Sequence, residues 1–89
     1  MSKLKIRVIG YDEIVLLFGL VGIEGRVVES PEQFKKVFKK AVKDELLGVL
    51  IIAINLPIEI LDELMEFKLK HRRPFLMYLP NVFEINMDK

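Results

Sequence analysis

The sequence has no cysteine, no threonine and no tryptophan, and its only histidine is His71. Without cysteine the chain cannot form disulfides, thiolate metal sites or a thiol nucleophile. One histidine cannot build a histidine-rich metal site by itself. The charges nearly cancel, with 14 Lys+Arg against 13 Asp+Glu and a net charge of +1. This balance excludes the overall positive field that nucleic-acid-binding domains present to their ligand.

Long apolar runs are absent too. The two longest are residues 14–23 and 46–54, and both are far shorter than the roughly 20 residues that a membrane-spanning helix needs. The first seven residues alternate cations with single apolar residues, unlike the apolar core of a signal peptide. We therefore expect a cytoplasmic protein with no direct membrane insertion.

The chain is nevertheless rich in apolar residues, which make up 52% of its 89 residues, while charged residues make up 30%. A chain this apolar can collapse around a core, which excludes intrinsic disorder. The length allows one domain, which we place at residues 1–80 with residues 81–89 as a C-terminal tail. The abundance of Lys, Glu and Ile without Thr or Cys is also typical of a thermophilic source.

Four segments have the pattern of β-strands. Residues 4–10 alternate apolar side chains with Lys5 and Arg7 before turning fully apolar, which predicts a strand that becomes buried towards Gly10. Residues 26–29 are a short candidate. Residues 47–54 are apolar without alternation, as in a central parallel strand covered on both faces. Residues 75–79 lie between two prolines and predict a fourth strand.

Three helices are expected between these strands. Asp12 can cap a helix of almost wholly apolar residues that ends among Gly19, Gly22 and Gly25. Ser30, with Pro31 after it and Gln33 three positions on, predicts a capping box that opens a helix to about residue 44. The third helix is predicted over residues 57–69. Its expected core positions are Ile58, Ile60, Leu61, Leu64, Met65 and Phe67.

The resulting order is βαβαβαβ, which predicts an α/β fold with a four-stranded parallel sheet in the order 2-1-3-4, a flavodoxin- or receiver-like three-layer arrangement. Right-handed crossovers then place the second and third helices on one face and the first helix alone on the other. Strands three and four are left partly bare beside the first helix. An apolar face of this kind indicates a partner, a homodimer, or a cover formed by the tail.

Candidate catalytic residues do not assemble into a site. Asp12 and Glu13 follow the first strand and could hold Mg²⁺ as in receiver domains, but Asn55 and Pro80 stand where a phosphoacceptor Asp and a Lys are needed. His71 has no Ser or Thr nucleophile and no positioned Asp beside it, and is better explained as part of a solvated helix end. We expect no catalytic residues, no metal site and no cofactor.

Two further motifs also have ordinary structural explanations. The glycines of GLVGIEG follow a helix at the wrong spacing for a phosphate loop, and indicate a turn with close backbone packing. Five lysines, at positions 35, 36, 39, 40 and 43, form one face of the second helix. Such a face is usually solvated, although it could meet acid or lipid, or pair with the acidic stripe of the third helix.

The chain resembles the F-subunit family of the archaeal- and vacuolar-type (V/A-type) rotary ATPases. The residues that carry the resemblance are VIG at 8–10, the acidic Asp12, FGLVGIEG at 18–25, GVLII at 48–52 and the proline-flanked segment 74–80. The resemblance covers roughly residues 4–80 and implies a non-catalytic protein of the central stalk. Such a protein binds the long coiled-coil D-subunit and helps to couple ATP turnover to proton or sodium transport, while other subunits hydrolyse the nucleotide.

This resemblance implies a peripheral protein, held at the membrane by its complex. Family members carry a C-terminal helix after the fourth strand that modulates ATPase activity, and only nine residues follow Pro80 here, so we carry over the docking role alone. The predicted partner contacts are Leu16, Leu17, Phe18, Leu20 and Val21, with Leu76 and Tyr78 next. The alternative is a receiver-like adaptor that acts by homodimerisation without phosphoacceptor chemistry.

Overall fold

The computed structural model describes residues 3–80, and these form seven alternating strands and helices. The predicted cover by the tail concerns residues 81–89 and lies outside the described residues. The elements are β1 (Lys5–Gly10), α1 (Asp12–Leu20), β2 (Glu24–Val27), α2 (Pro31–Ala41), β3 (Leu47–Ala53), α3 (Ile58–Lys70) and β4 (Phe75–Tyr78).

The strands form one parallel sheet in the order β2-β1-β3-β4, which confirms the predicted fold. β3 lies inside the sheet, and all of its residues except Val49 are buried. Its unbroken apolar run is therefore explained by cover on both faces, because neither face offers a place for a polar side chain.

The two faces of the sheet bury very different amounts of apolar side chain. Eleven buried residues, among them Phe34, Leu50 and Leu64, form the core under α2 and α3. Only four, namely Val8, Ile14, Ile51 and Ala53, form the core under α1. The distribution of helices that right-handed crossovers predict is therefore confirmed.

The start of α2 is fixed by hydrogen bonds that the sequence predicts. The Ser30 hydroxyl accepts a bond from the N–H of Gln33 at 3.2 Å, and the Gln33 side-chain oxygen accepts one from the N–H of Glu29 at 2.7 Å. The second bond goes one residue further upstream than in a standard capping box. The bond to Ser30 occupies an N–H group that the helix itself cannot use.

Other element ends differ from the prediction. Asp12 is not the cap of α1, because Tyr11 holds that position without a side-chain bond and Asp12 lies in the first turn, where its charge suits the helix dipole. Similarly, Pro57 is the cap of α3 rather than its first residue. α2 ends at Ala41 because residues 43 and 44 form tighter bonds to carbonyls three residues back.

The segment between α1 and β2 is the turn that its glycines predict. Gly22 has a φ of +90°, a backbone conformation that residues with a Cβ atom rarely adopt. At Gly25 a Cβ atom would lie 2.6 Å from Val15 Cγ1 and 2.8 Å from Val8 Cγ1. The absence of a side chain at Gly25 thus lets α1 pack closely against the edge of the sheet.

α3 buries a narrower arc than the sequence predicts. Ile60 and Leu64 are buried as expected, whereas Ile58 and Met65 are about two-thirds exposed. The apolar pattern overestimates the buried arc because α3 rests on the sheet along only one side. Ile58, Met65 and the exposed Leu69 therefore form an apolar row on the solvent side of the helix.

Candidate interaction surface

Helix α1 carries more apolar side chains than the sheet beneath it can bury. Ile14 is its one buried residue, although seven of its nine residues lie in an apolar or glycine run. Leu16 is 65% exposed, Leu20 is 74% exposed and Val21, just after the helix, is 73% exposed. Leucines at this exposure gain little from the fold itself, so α1 has a second face suited to contact with another molecule.

The contacts of α1 show which part of the sheet it covers. Val15 packs against Gly25 of β2, and Ile14 lies against Gly10 of β1 near Ala53 of β3. The helix therefore covers the β2–β1 half of the sheet. Leu17 follows Ile14 by three positions and flanks it on the side away from Val15, which is the side of the uncovered strands.

The β3–β4 half of the sheet continues this exposed surface. Phe75 and Met77 pair in register with Val49 and Ile51 of β3, and partners in register share a face of the sheet. Ile51 belongs to the core under α1, so Phe75 and Met77 point to the α1 side. They are 56% and 40% exposed, because among residues 3–80 no other helix lies on this side.

The N-terminal part of β1 extends the same surface. Leu4 and Ile6 alternate with Val8 and so share its side, and both are about half exposed. Because α1 connects two parallel strands, it runs back towards the edge of the sheet where the strands begin, and Leu20 lies at that end of the helix. We call the combined set the α1-side surface; its members are Leu4, Ile6, Leu16, Leu17, Leu20, Val21, Phe75 and Met77.

The predicted contact residues divide into three groups. Leu16, Leu17, Leu20 and Val21 lie on the α1-side surface, whereas Phe18 is half-buried against the core under α1. Leu76 and Tyr78 lie on the opposite face, packed against the core under α2 and α3. Contact of Leu76 and Tyr78 with a partner stays a prediction, but they do not share a face with α1.

Phe75 and Met77 are the β4 residues that sequence reasoning missed. The strand reads Phe-Leu-Met-Tyr, and none of its residues is charged to mark the solvent side. Only the register with β3 assigns the faces. The hydroxyl of Tyr78 was nevertheless a usable signal. A buried tyrosine hydroxyl needs a hydrogen-bond partner, and the loop before α3 supplies one at Leu56, on the face opposite α1.

The polar residues weighed as catalytic candidates occupy ordinary positions. The rings of His71 and Phe67 stack with centroids 4.1 Å apart, and His71 Nδ1 lies 2.9 Å from the carbonyl oxygen of Phe67. His71 thus finishes α3. In the described part of the chain, no three His, Cys, Asp or Glu side chains are grouped so that they could hold a metal ion. No helix there is long and apolar enough to cross a membrane.

Comparison with protein families identifies the chain. Residues 6–89 match the family model described as ATP synthase (F/14-kDa) subunit. The chain belongs to this family. The match confirms the resemblance on which the sequence interpretation rests and makes the chain an accessory component of an ATPase complex. Searches of curated proteins and of solved structures gave no significant match.

Proposed function

We propose that the chain is a non-catalytic central-stalk component of a V/A-type rotary ATPase, and that it docks on the coiled-coil D-subunit through the α1-side surface. Family membership supports the assignment of the chain to an ATPase complex. The exposure of Leu16 and Leu20 on a helix that covers only half of its sheet face is the observation that carries the docking surface.

The shape of the surface suits a rod-like partner. α1 stands above the sheet on one side, and the uncovered strands with Phe75 and Met77 lie lower beside it. A partner helix that lies beside α1, on the uncovered strands, would contact Leu17 from the side and Phe75 from above. Burial of such apolar groups contributes about 25 cal/mol per Å² of area removed from water, so a few large side chains can anchor the contact.

The proposed role is mechanical. The chain would strengthen the stalk that transmits rotation between the catalytic head and the membrane sector, and so contribute to coupling ATP turnover with proton or sodium transport. It would be cytoplasmic and peripheral, held at the membrane by the complex. Other subunits would supply the nucleotide chemistry.

Co-purification with the coiled-coil stalk protein of the same ATPase tests the proposal. The test variant carries Leu16→Asp and Leu20→Asp, both at exposed positions. The matched control carries Met65→Asp and Leu69→Asp, which add the same charge to the exposed apolar row of α3 on the opposite face. We expect the test variant to bind at least about 30-fold more weakly, since a lost interface anchor costs about 2 kcal/mol or more, and the control to bind normally.

Two results would overturn the proposal. One is normal binding by the test variant while circular dichroism shows that it is folded. The other is a tight homodimer of the isolated chain that does not bind the coiled-coil protein, because that result would favour the adaptor hypothesis. Light scattering of the isolated chain shows whether it forms such a homodimer.

A further inference from the structure

The lysines of α2 form two rows with different surroundings. Lys35, Lys39 and Lys43 line the groove between α2 and α3, where Lys35 Nζ lies 3.8 Å from Glu63 Oε2. The pairing with the acidic stripe of α3 that the sequence suggests is thus seen for Lys35. Lys36 and Lys40 lie on the other flank of the helix, towards the β2 edge of the sheet.

This second flank borders a pocket of about 460 Å³ whose walls are basic. Lys36 and Lys40 of α2 face Arg7 of β1 and Arg26 of β2 across it. Arg7 and Arg26 share this face because Arg7 pairs in register with Glu24, two residues before Arg26. Four cations from three different elements therefore converge on one space.

Only one of these four cations has a carboxylate partner among the described residues. Arg7 is held by Asp44, with Nη2 3.2 Å from Oδ2, and by Glu24, with Nε 3.3 Å from Oε1. Within residues 3–80, Arg26, Lys36 and Lys40 form no ion pair and no side-chain hydrogen bond. Arg26, Lys36 and Lys40 are like charges lining one pocket, and a bound anion would relieve their mutual repulsion.

The floor of the pocket is apolar. Val37 is its partly exposed apolar residue, and Ile9 and Ala41 are buried beneath it. A site with convergent charged groups above an apolar floor suits a small ligand that has an anionic part and an apolar part.

We propose that this pocket, formed by Arg7, Arg26, Lys36 and Lys40, binds the phosphate groups of a small phosphate-bearing molecule. Arg26 comes from β2, and Lys36 and Lys40 come from α2, so cations of two elements would bind the phosphate. The planar guanidinium can bind two oxygens at once. Arg7 is fixed by Asp44 and Glu24 and would form the rigid end. The site lies on the face opposite the α1-side surface and does not depend on the stalk role.

Titration of the full 89-residue chain with inorganic pyrophosphate tests this site. Amide shifts are followed by NMR, and affinity is measured by calorimetry at constant ionic strength. The test variant carries K36Q and K40Q, and the control carries K39Q and K43Q, which removes the same charge from the other flank of the same segment. We expect saturable binding that the test variant weakens by about tenfold or more, since it removes two charge-assisted bonds, and that the control changes less than about twofold.

The proposal fails if pyrophosphate does not bind saturably. It also fails if the two variants lose affinity equally, because binding would then follow total charge rather than this pocket. ADP and vesicles with anionic lipid serve as further arms. Stronger binding of ADP than of pyrophosphate would indicate that the apolar floor contacts the non-phosphate part of the ligand. Binding of vesicles by a chain that does not bind pyrophosphate would overturn the small-molecule site.

Discussion

The hydroxyl oxygen of Tyr78, at the end of β4, accepts a hydrogen bond of 3.0 Å from the backbone N–H of Leu56, in the connection between β3 and α3. Leu56 is buried, so water cannot readily replace this acceptor. The bond therefore ties the edge strand β4 to the loop that leads into α3, at the carboxyl end of the strands.

Removal of this hydroxyl should destabilise the domain. Tyr78→Phe keeps the ring but leaves the N–H of Leu56 without its partner, which costs about 1–3 kcal/mol for a buried donor. Urea denaturation followed by circular dichroism measures the loss. Tyr11→Phe is the control, because the Tyr11 side chain is exposed and forms no hydrogen bond among residues 3–80. Equal stability of the two variants would show that the bond contributes nothing.

Replacement of glycine by alanine should change the free energy of unfolding in opposite directions at two positions, Gly10 and Gly19. A Cβ at Gly10 would lie 2.7 Å from the backbone oxygen of Ala53 and 2.8 Å from Ile14 Cγ2. The backbone atom cannot move aside cheaply, so Gly10→Ala should cost about 1–3 kcal/mol through overpacking. Gly19 lies inside α1 with nothing within 4 Å of the added atom, and Gly19→Ala should add about 0.5–1 kcal/mol through helix propensity. Thermal unfolding of both variants measures these changes. An increase in the stability of Gly10→Ala would contradict the close packing of Gly10 against Ala53 and Ile14.

The success of the sequence interpretation depended on signals that lie close together in the chain. β3 was predictable because an uninterrupted apolar run of its length fits a strand buried on both faces. The start of α2 was predictable because Ser30 and Gln33 bond within one turn. Right-handed crossovers then converted the order of elements into the uncovered half-face beside α1.

What could not be predicted depended on contacts between distant segments. The side of the sheet on which Phe75 lies follows from its register with Val49 of β3, and an all-apolar strand gives no local sign of it. The division of the lysines into two rows has the same origin. Periodicity places Lys36 and Lys39 on one polar face, but only the packing of α2 between α3 and the edge strand separates them.

Asp44 predicts how stability depends on pH. Its Oδ1 accepts a bond from the N–H of Leu46 at 2.9 Å, and Oδ2 lies 3.2 Å from Arg7 and 3.4 Å from Lys5. The hydrogen bond from Leu46, helped by the two cations, holds the pKa of the Asp44 carboxyl below its usual value of 3.8. Folding therefore favours the charged carboxylate, and its stabilisation is present above pH 3.8 and lost as the pH falls through the lower folded pKa.

Comparison of the wild-type chain with Asp44→Asn checks this dependence. We expect the variant to be less stable at about pH 7, where the carboxylate is fully charged, and the difference to shrink as the pH is lowered below 3.8. Asp62→Asn is the control, because Asp62 forms no ion pair or side-chain hydrogen bond among the described residues. A difference that grows on acidification would contradict the sign, since it would require a raised pKa.

Two neighbouring residues of β4 provide a test of the faces of the sheet. Phe75→Glu places a charge on the exposed α1 side, and Leu76→Glu places one against the core under α2 and α3. We expect Leu76→Glu to lower the free energy of unfolding by about 2 kcal/mol or more, because an unpaired charge is forced towards an apolar core. Phe75→Glu should change it by less than about 1 kcal/mol, since the site faces water.

The same pair separates folding from docking. Phe75→Glu should weaken binding to the coiled-coil stalk protein although the chain remains folded. The reason is that Phe75 lies on the α1-side surface, on the strands that α1 leaves uncovered. Calorimetric titration with that protein, after denaturation curves have established which variants fold, measures the effect. Full binding by a folded Phe75→Glu chain would confine the docking surface to α1 and remove β4 from it.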